Sequence, residues 1–293
     1  MDGKQPSPTF SMSHFTNKQN LLIRTYSARI PDAKASIVLV HGNRCHFRSE
    51  FAAYNMKWHM ENLGIGTPSV QDVIDRELRA VYPLGASVKS KDPNASFPDY
   101  SCLDGRNMFD ISPRFIYEGS FIEKLNQLGY NVYGLDHQSN GLSQSLKDRR
   151  NFFLSLEDLV DDVIQFIDIV RRGKFDDTKQ TMADHKPDSP STIGTLVLCG
   201  ASMGGNIVLR AAEKTSVYNK DGRMFFDALI TFAPMTDLSS YLTTFTRRAL
   251  LHLSKVISVV RPESTLGLHP IPFTLNNANA TVLRLACLKP PIS

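Results

Sequence analysis

Thr195-Leu196-Val197-Leu198-Cys199-Gly200-Ala201-Ser202-Met203-Gly204-Gly205-Asn206-Ile207-Val208-Leu209-Arg210 is the stretch on which the fold turns. Residues 195–199 are apolar after the first position, the pattern of a strand buried on both faces. From 204 to 214 apolar residues return at helical spacing. Between the two lies Gly200-Ala201-Ser202-Met203-Gly204, a G-x-S-x-G string at a strand-to-helix junction. A serine on so tight a turn projects its hydroxyl above the sheet. Glycines two residues to either side, Gly200 and Gly204, remove side chains that would clash there. The helix N-terminus then aims amides and a positive dipole end at a developing oxyanion. The string alone recurs by chance. The strand before it and the helix after it give it weight, and Ser202 is read as a nucleophile.

Working outward, continuous apolar runs at 36–40 and 131–135 read as further buried strands, Ala228–Phe232 as a strand, and 21–26 as an earlier one. Helices are expected at 115–128, which stops before Gly129, and at 156–170. In the second, Leu156, Leu159, Val160, Val163, Ile164, Ile167 and Val170 share a face. Glu157, Asp158, Asp161, Asp162 and Asp168 lie mainly on the others. Apolar strands alternating with helices imply a parallel sheet covered on both sides, an α/β fold. Residues 1–20 read as a loosely ordered N-terminus and 21–237 as the core. The core carries an insert at 44–112 and a polar surface loop at 172–192. Within the insert, 69–81 has a helical pattern and 89–105 reads as loop. Residues 238–272 read as a partial helical lid and 273–293 as a divergent tail.

A second element, His41-Gly42-Asn43, ends the strand at 36–40. In this architecture that loop supplies the other oxyanion donor: the backbone N–H of Asn43, paired with that of Met203. His41 then supports the loop and transfers no proton. A third, Asp136-His137-Gln138-Ser139-Asn140-Gly141-Leu142-Ser143, follows a strand. Asp136 is read as a turn-former that accepts backbone hydrogen bonds.

The composition removes other classes. The chain has 293 residues, 42% hydrophobic and 21% charged, with a net charge of +4. That surplus is small and scattered, so nucleic acid is not expected as a partner. No apolar run approaches a membrane span, and the first 20 residues lack the core of a signal peptide. Four cysteines lie far apart without metal-ligand spacing, so no metal and no cofactor are expected and the thiols read as free. A cytoplasmic location follows as an expectation.

His41-Gly42, Asp136…Gly141-Leu142-Ser143 and Gly200-Ala201-Ser202-Met203-Gly204-Gly205 occur in order on the right elements. Together they resemble the monoacylglycerol lipase and lysophospholipase branch of the α/β-hydrolase superfamily, also described as serine aminopeptidase-like hydrolases. The segment Tyr117-Glu118-Gly119-Ser120-Phe121-Ile122-Glu123-Lys124-Leu125 and the long insert after His41-Gly42 look closer still to the apicomplexan lysophospholipase-like proteins called PST-A. The resemblance covers about residues 21–261. One departure stands out: the usual G-H-G of the branch reads Ser139-Asn140-Gly141, in a loop that shapes the pocket edge.

The resemblance implies cleavage of an acyl ester through an acyl-serine intermediate, with a small lipid or acyl ester as substrate. It also calls for an acid and then a histidine after the serine. Only 91 residues follow Ser202, fewer than the remaining strands and a lid require at about 30 residues per unit. Asp237, after the strand Ala228–Phe232, is the candidate acid, and His269, in a lid loop, the candidate base. The reading is therefore of an α/β-hydrolase fold incomplete at its C-terminal end, a truncated chain with its last two strands missing and little activity. A non-catalytic lipid- or partner-binding protein and a nonfunctional fragment stay open as alternatives. The lid helix at 239–260 pairs an apolar face with Arg247, Arg248 and Lys255, which suits a transient contact with a membrane surface. The oligomeric state is left open.

Overall fold

The protein's structure, a computed structural model, describes residues 7–62, 100–146, 151–184, 191–218 and 225–236. Strands β1 (Thr9–Thr16), β2 (Leu22–Arg29) and β3 (Ala35–Val40) come first. Helix α1 (Phe47–Phe51), strand β4 (Ala53–Tyr54) and helix α2 (Met56–Asn62) open the insert, and β5 (Phe115–Ile116) closes it. Helix α3 (Phe121–Gln127), strand β6 (Tyr130–Leu135), helix α4 (Leu156–Arg171), strand β7 (Leu196–Ala201), helix α5 (Met203–Tyr218) and strand β8 (Ala228–Phe232) follow. The described residues up to Pro234 form one compact unit. Met235 and Thr236 belong to a second, which otherwise lies outside the described residues.

The sheet order is β1-β2-β6-β3-β7-β8. β1 and β2 are antiparallel to each other, and β2 is antiparallel to β6. From β6 onward the pairing is parallel. This is the mostly parallel, helix-covered sheet of an α/β hydrolase. Its register places Leu39 opposite Gly134, Val40 opposite Gly200, and Ala201 opposite Phe232. The C-terminal ends of four strands therefore share one edge, where open parallel sheets hold their ligands.

Local chemistry sets the elements. The Ser155 hydroxyl accepts from the Glu157 amide, and the Asp158 carboxyl accepts from the Ser155 amide, so α4 starts with both donors satisfied. Ser120 caps α3 by accepting from the Glu123 amide at 2.9 Å. That cap divides the segment 115–128: its first two residues pair with β4, and the helix starts only at Phe121. β4 and β5 thus tie the two ends of the insert together. The core gathers Ile37, Leu39, Val132 and Cys199 of the strands with Phe47, Phe51, Ile122 and Leu125 of the helices. α4 packs on α5 and β6, and α5 packs on β7 and β3.

One expectation is corrected. Residues 9–16 are not loosely ordered; they form β1 along the full length of β2. Its alternation is hidden because Ser11 and Ser13 are buried beside Met12 and Phe15. On α4, Asp162 and Asp168, off the apolar stripe, are also buried, because the β1–β2 turn and residues beyond the helix cover that side. The Asn17 side-chain amide donates to Asp162 at 3.0 Å, and Arg172 donates to Asp168 at 3.0 Å. The helix expected at 69–81, the lid helix at 239–260, the tail, and most of the loop at 89–105 lie outside the described residues. The last residues of that loop, with Leu103 buried, include the 3-10 turn Tyr100–Leu103.

Candidate active site

β7 runs to Ala201, and α5 begins at Met203, so Ser202 alone makes the turn. It does so at φ +52°, in the left-handed region that side chains other than glycine's rarely enter. Its amide donates to the Phe232 carbonyl at 2.9 Å, and its carbonyl accepts from the Asn206 amide at 3.3 Å. Both ends of the strained residue are therefore held, and the residue itself is exposed. Met203, the first residue of α5, carries one of the helix's N-terminal amides, which have no acceptor within the helix. Strain of this kind is worth about 1–3 kcal/mol. Ser202→Gly is therefore expected to be more stable than Ser202→Ala by about 1 kcal/mol. Denaturant unfolding of the two variants measures this; equal midpoints would contradict the left-handed turn.

The spacing of the motif has a steric basis. A Cβ on Gly200 would overlap the Gly204 carbonyl, and one on Gly204 would lie 2.6 Å from the His41 oxygen. The elbow is thus pressed against the end of β3. Gly42 continues the contact: a Cβ there would meet Ser202 Cβ at 3.1 Å and Ser202 Oγ at 3.7 Å. Register and close approach together bring the 41–43 loop beside the serine, with Asn43 exposed at its tip.

Beneath the loop lies a buried pair of imidazoles. His41 and His137 are both 0% exposed, with ring centroids 4.2 Å apart. The His137 amide donates to His41 Nε2 at 3.0 Å. His137 Nε2 donates to the His41 carbonyl at 3.2 Å, and His41 Nδ1 to the Gly42 carbonyl at 2.8 Å. Burial, with His41 alongside, holds the His137 imidazole well below its usual range, so that ring is neutral. Sequence order, with both residues before Ser202, already sets His41 and His137 under or beside the pocket, and the pairing of β3 with β6 brings the two together.

Asp136 anchors this group. Its carboxylate accepts from the Tyr26 hydroxyl at 2.6 Å, the Phe47 amide at 2.7 Å and the Leu142 amide at 2.7 Å. It ties β2, the start of α1 and its own turn together. Burial and the adjacent carboxylate push the Tyr26 hydroxyl well above its ordinary range. In the same turn Ser139, at the first glycine of the family's G-H-G, sits at φ +64°. Its hydroxyl accepts from the Leu146 amide at 3.0 Å, which offsets some of the strain a glycine would avoid.

An apolar wall completes the site. Phe232, joined to Ser202 through the main chain, is 48% exposed and packs edge-on against Phe121 at 6.2 Å; Phe121 in turn meets Phe51. Sequence reading misses this wall, since Phe121 and Phe232 lie more than 100 residues apart. Among the described residues no histidine hydrogen-bonds to Ser202: His14 pairs with Asp104, His46 caps α1, His59 is buried against the rings of Tyr54 and Trp58, and His41 and His137 serve the main chain. Asp237 and His269 lie outside the described residues. Among the described residues no cluster of histidine, cysteine, aspartate or glutamate could hold a metal ion, and no helix is long and apolar enough to cross a membrane.

Among solved structures, the chain is similar to a monoacylglycerol lipase from Paleococcus ferrophilus, with 16% identity over 89% of this chain and 61% of that one, and a TM-score of 0.42. It is similar to the α/β hydrolase GrgF from Penicillium sp. sh18, with 14% identity over 97% and 68%, and a TM-score of 0.41. It is similar also to a predicted CIB-like hydrolase from Thermoplasma acidophilum, with 14% identity and a TM-score of 0.36; it covers 78% of this chain and 64% of that one. The chain thus spans about two thirds of the length of these three proteins. No curated protein matches it. The family profile described as serine aminopeptidase, S33, matches residues 116–284, more than half of the chain. With the elbow at Ser202 and the sheet order above, this places the chain in the S33 serine aminopeptidase family of α/β hydrolases.

Proposed function

We propose that the chain carries the site of a serine hydrolase of the lysophospholipase or monoacylglycerol lipase type, acting on acyl esters, and that as it stands it turns over at a rate near background. The observation that carries the reading is Ser202 at φ +52° on the β7–α5 turn, with Gly42 closed against it. In this reading Ser202 Oγ attacks the ester carbonyl. The Asn43 and Met203 amides receive the oxyanion, and the exposed rings of Phe121 and Phe232 take the acyl chain. The likeness of residues 117–125 to the apicomplexan PST-A proteins supports the lysophospholipase side.

The low rate follows from the proton. Serine needs a base within about 3 Å to become a useful nucleophile at neutral pH. Among the described residues no histidine hydrogen-bonds to Ser202, and His14, His41, His46 and His137 hold other partners. The candidates in chain order, Asp237 as acid and His269 as base, are taken in this reading not to serve Ser202; if they did, the rate would be robust. The substrate is a small lipid or acyl ester and no nucleic acid, with no metal or cofactor in the step. The region 239–260 is suited to a passing contact with a membrane surface. Any adduct formed with a fluorophosphonate probe is expected on Ser202 alone, read by peptide mass mapping. Adducts that survive Ser202→Ala would overturn the assignment. The second reading, a non-catalytic binding protein, is favoured by the lack of a histidine hydrogen-bonded to Ser202 among the described residues; complete absence of any Ser202 adduct would select it.

A further inference from the structure

We propose that His41 is a positioning residue that aims the Asn43 amide at the oxyanion, acting as a tautomer-locked latch on the Gly42–Asn43 peptide. The proposal rests on the reading of Ser202 as nucleophile. In a trans peptide plane the carbonyl of one residue and the amide of the next point in opposite directions. Whatever holds the Gly42 carbonyl therefore sets where the Asn43 N–H points. His41 Nδ1 lies 2.8 Å from that carbonyl, and since a carbonyl only accepts, the hydrogen is on Nδ1. His41 Nε2 accepts from the His137 amide at 3.0 Å, so Nε2 is bare. One neutral tautomer meets both demands, and each hydrogen bond enforces the other.

A latch is needed at this position. Glycine lacks the Cβ that would bias the peptide toward one orientation, so the plane on its C-terminal side turns at low steric cost. The imidazole cannot swing away. It is fully buried and lies against the His137 ring, whose Nε2 holds the His41 carbonyl at 3.2 Å. His137 follows Asp136, whose carboxylate is fixed by three donors. The Asp136 anchor is thus joined through the main chain to His137, and hydrogen bonds run on from His137 to His41 and from His41 to the Gly42 carbonyl. The sequence expectation that His41 supports the loop becomes specific: one ring nitrogen sets one peptide.

Two substitutions separate the latch from simple packing. Asparagine places its amide nitrogen where Nδ1 stands, so His41→Asn keeps a donor to Gly42. Glutamine is nearer histidine in volume but reaches the Nε2 position, so His41→Gln loses that donor. In ¹⁵N NMR of the full chain, His41 is expected as the Nδ1–H tautomer, and the Asn43 amide resonance is expected to move far more in His41→Gln than in His41→Asn. Ser202 acylation by an activated ester, with imidazole supplied as external base, is expected to be about tenfold faster in His41→Asn than in His41→Gln. An Nε2–H tautomer, or an Asn43 resonance better preserved by glutamine, would overturn the latch. Failure of Ser202 to acylate in the wild-type chain would instead count against the proposed function, while the NMR order still decides the latch.

Discussion

Gly204→Ala is expected to cost about 3 kcal/mol of stability or more, in a helix where the same change ordinarily helps. Alanine is the better helix former by about 0.5–1 kcal/mol. Here the added methyl has nowhere to go: it would overlap the Val40 carbonyl and lie 2.6 Å from the His41 oxygen. Both are main-chain atoms at the end of β3 and cannot rotate aside. Relief requires α5 to back away from the sheet, which opens the elbow and carries Met203 from its buried position. Overpacking costs about 1–3 kcal/mol where side chains can adjust, and more where backbone must move. Gly194→Ala is the control, since nothing lies within 4 Å of a Cβ there. Thermal unfolding of the two variants checks the sign: a Gly204→Ala midpoint equal to or above that of Gly194→Ala would mean that the elbow does not press on β3 as described.

Asp162→Asn is expected to stabilise the protein at pH 7 by roughly 2–4 kcal/mol, with a gain that depends on pH. Asp162 is buried on α4. One carboxyl oxygen accepts from Asn17, and the other has no partner. Burial, reinforced by Asp158 and Asp161 and opposed by the Asn17 hydrogen bond and Lys18, pushes the carboxyl up to about 8. An unfolded chain releases that proton near pH 4. Between about pH 4 and 8 the folded state therefore holds a proton that the unfolded state does not, and stability falls as pH rises. The slope is about 1.4 kcal/mol per pH unit for one group, flattening above the folded value. Asparagine keeps an acceptor for Asn17 and carries no charge. The difference between wild type and variant should thus grow from about pH 4 to about pH 8 and then level off. Unfolding free energies across that range test it; a flat difference, or a destabilised variant, would place a charged Asp162 in the folded protein.

The parts of the fold that were legible in the sequence are those whose physics is local. Buried parallel strands are apolar at nearly every position, so 36–40, 131–135 and 195–199 show themselves. The elbow shows because Gly200 and Gly204 must both approach backbone. What stayed hidden depends on contacts across the chain. β1 carries Ser11 and Ser13 on buried positions, so it shows no alternation. Asp162 sits off the apolar stripe of α4, as a solvent-facing carboxylate would, and only the β1–β2 turn with Asn17 buries it. Phe121 meets Phe232 only through the folded sheet. The departure at Ser139 could be read from the residues; its meaning, a left-handed position without glycine, could not.

The central claim is that Ser202 is a built nucleophile position whose described surroundings supply no base. The most direct measurement is hydrolysis of a short-chain nitrophenyl ester by the wild-type chain, Ser202→Ala and His269→Ala, with and without added imidazole, followed by intact mass. The account predicts rates near background and alike for all three without imidazole. With imidazole it predicts an acyl adduct on Ser202 that is absent from Ser202→Ala. A robust unaided rate abolished by both Ser202→Ala and His269→Ala would contradict it, and would show Asp237 and His269 completing a working triad.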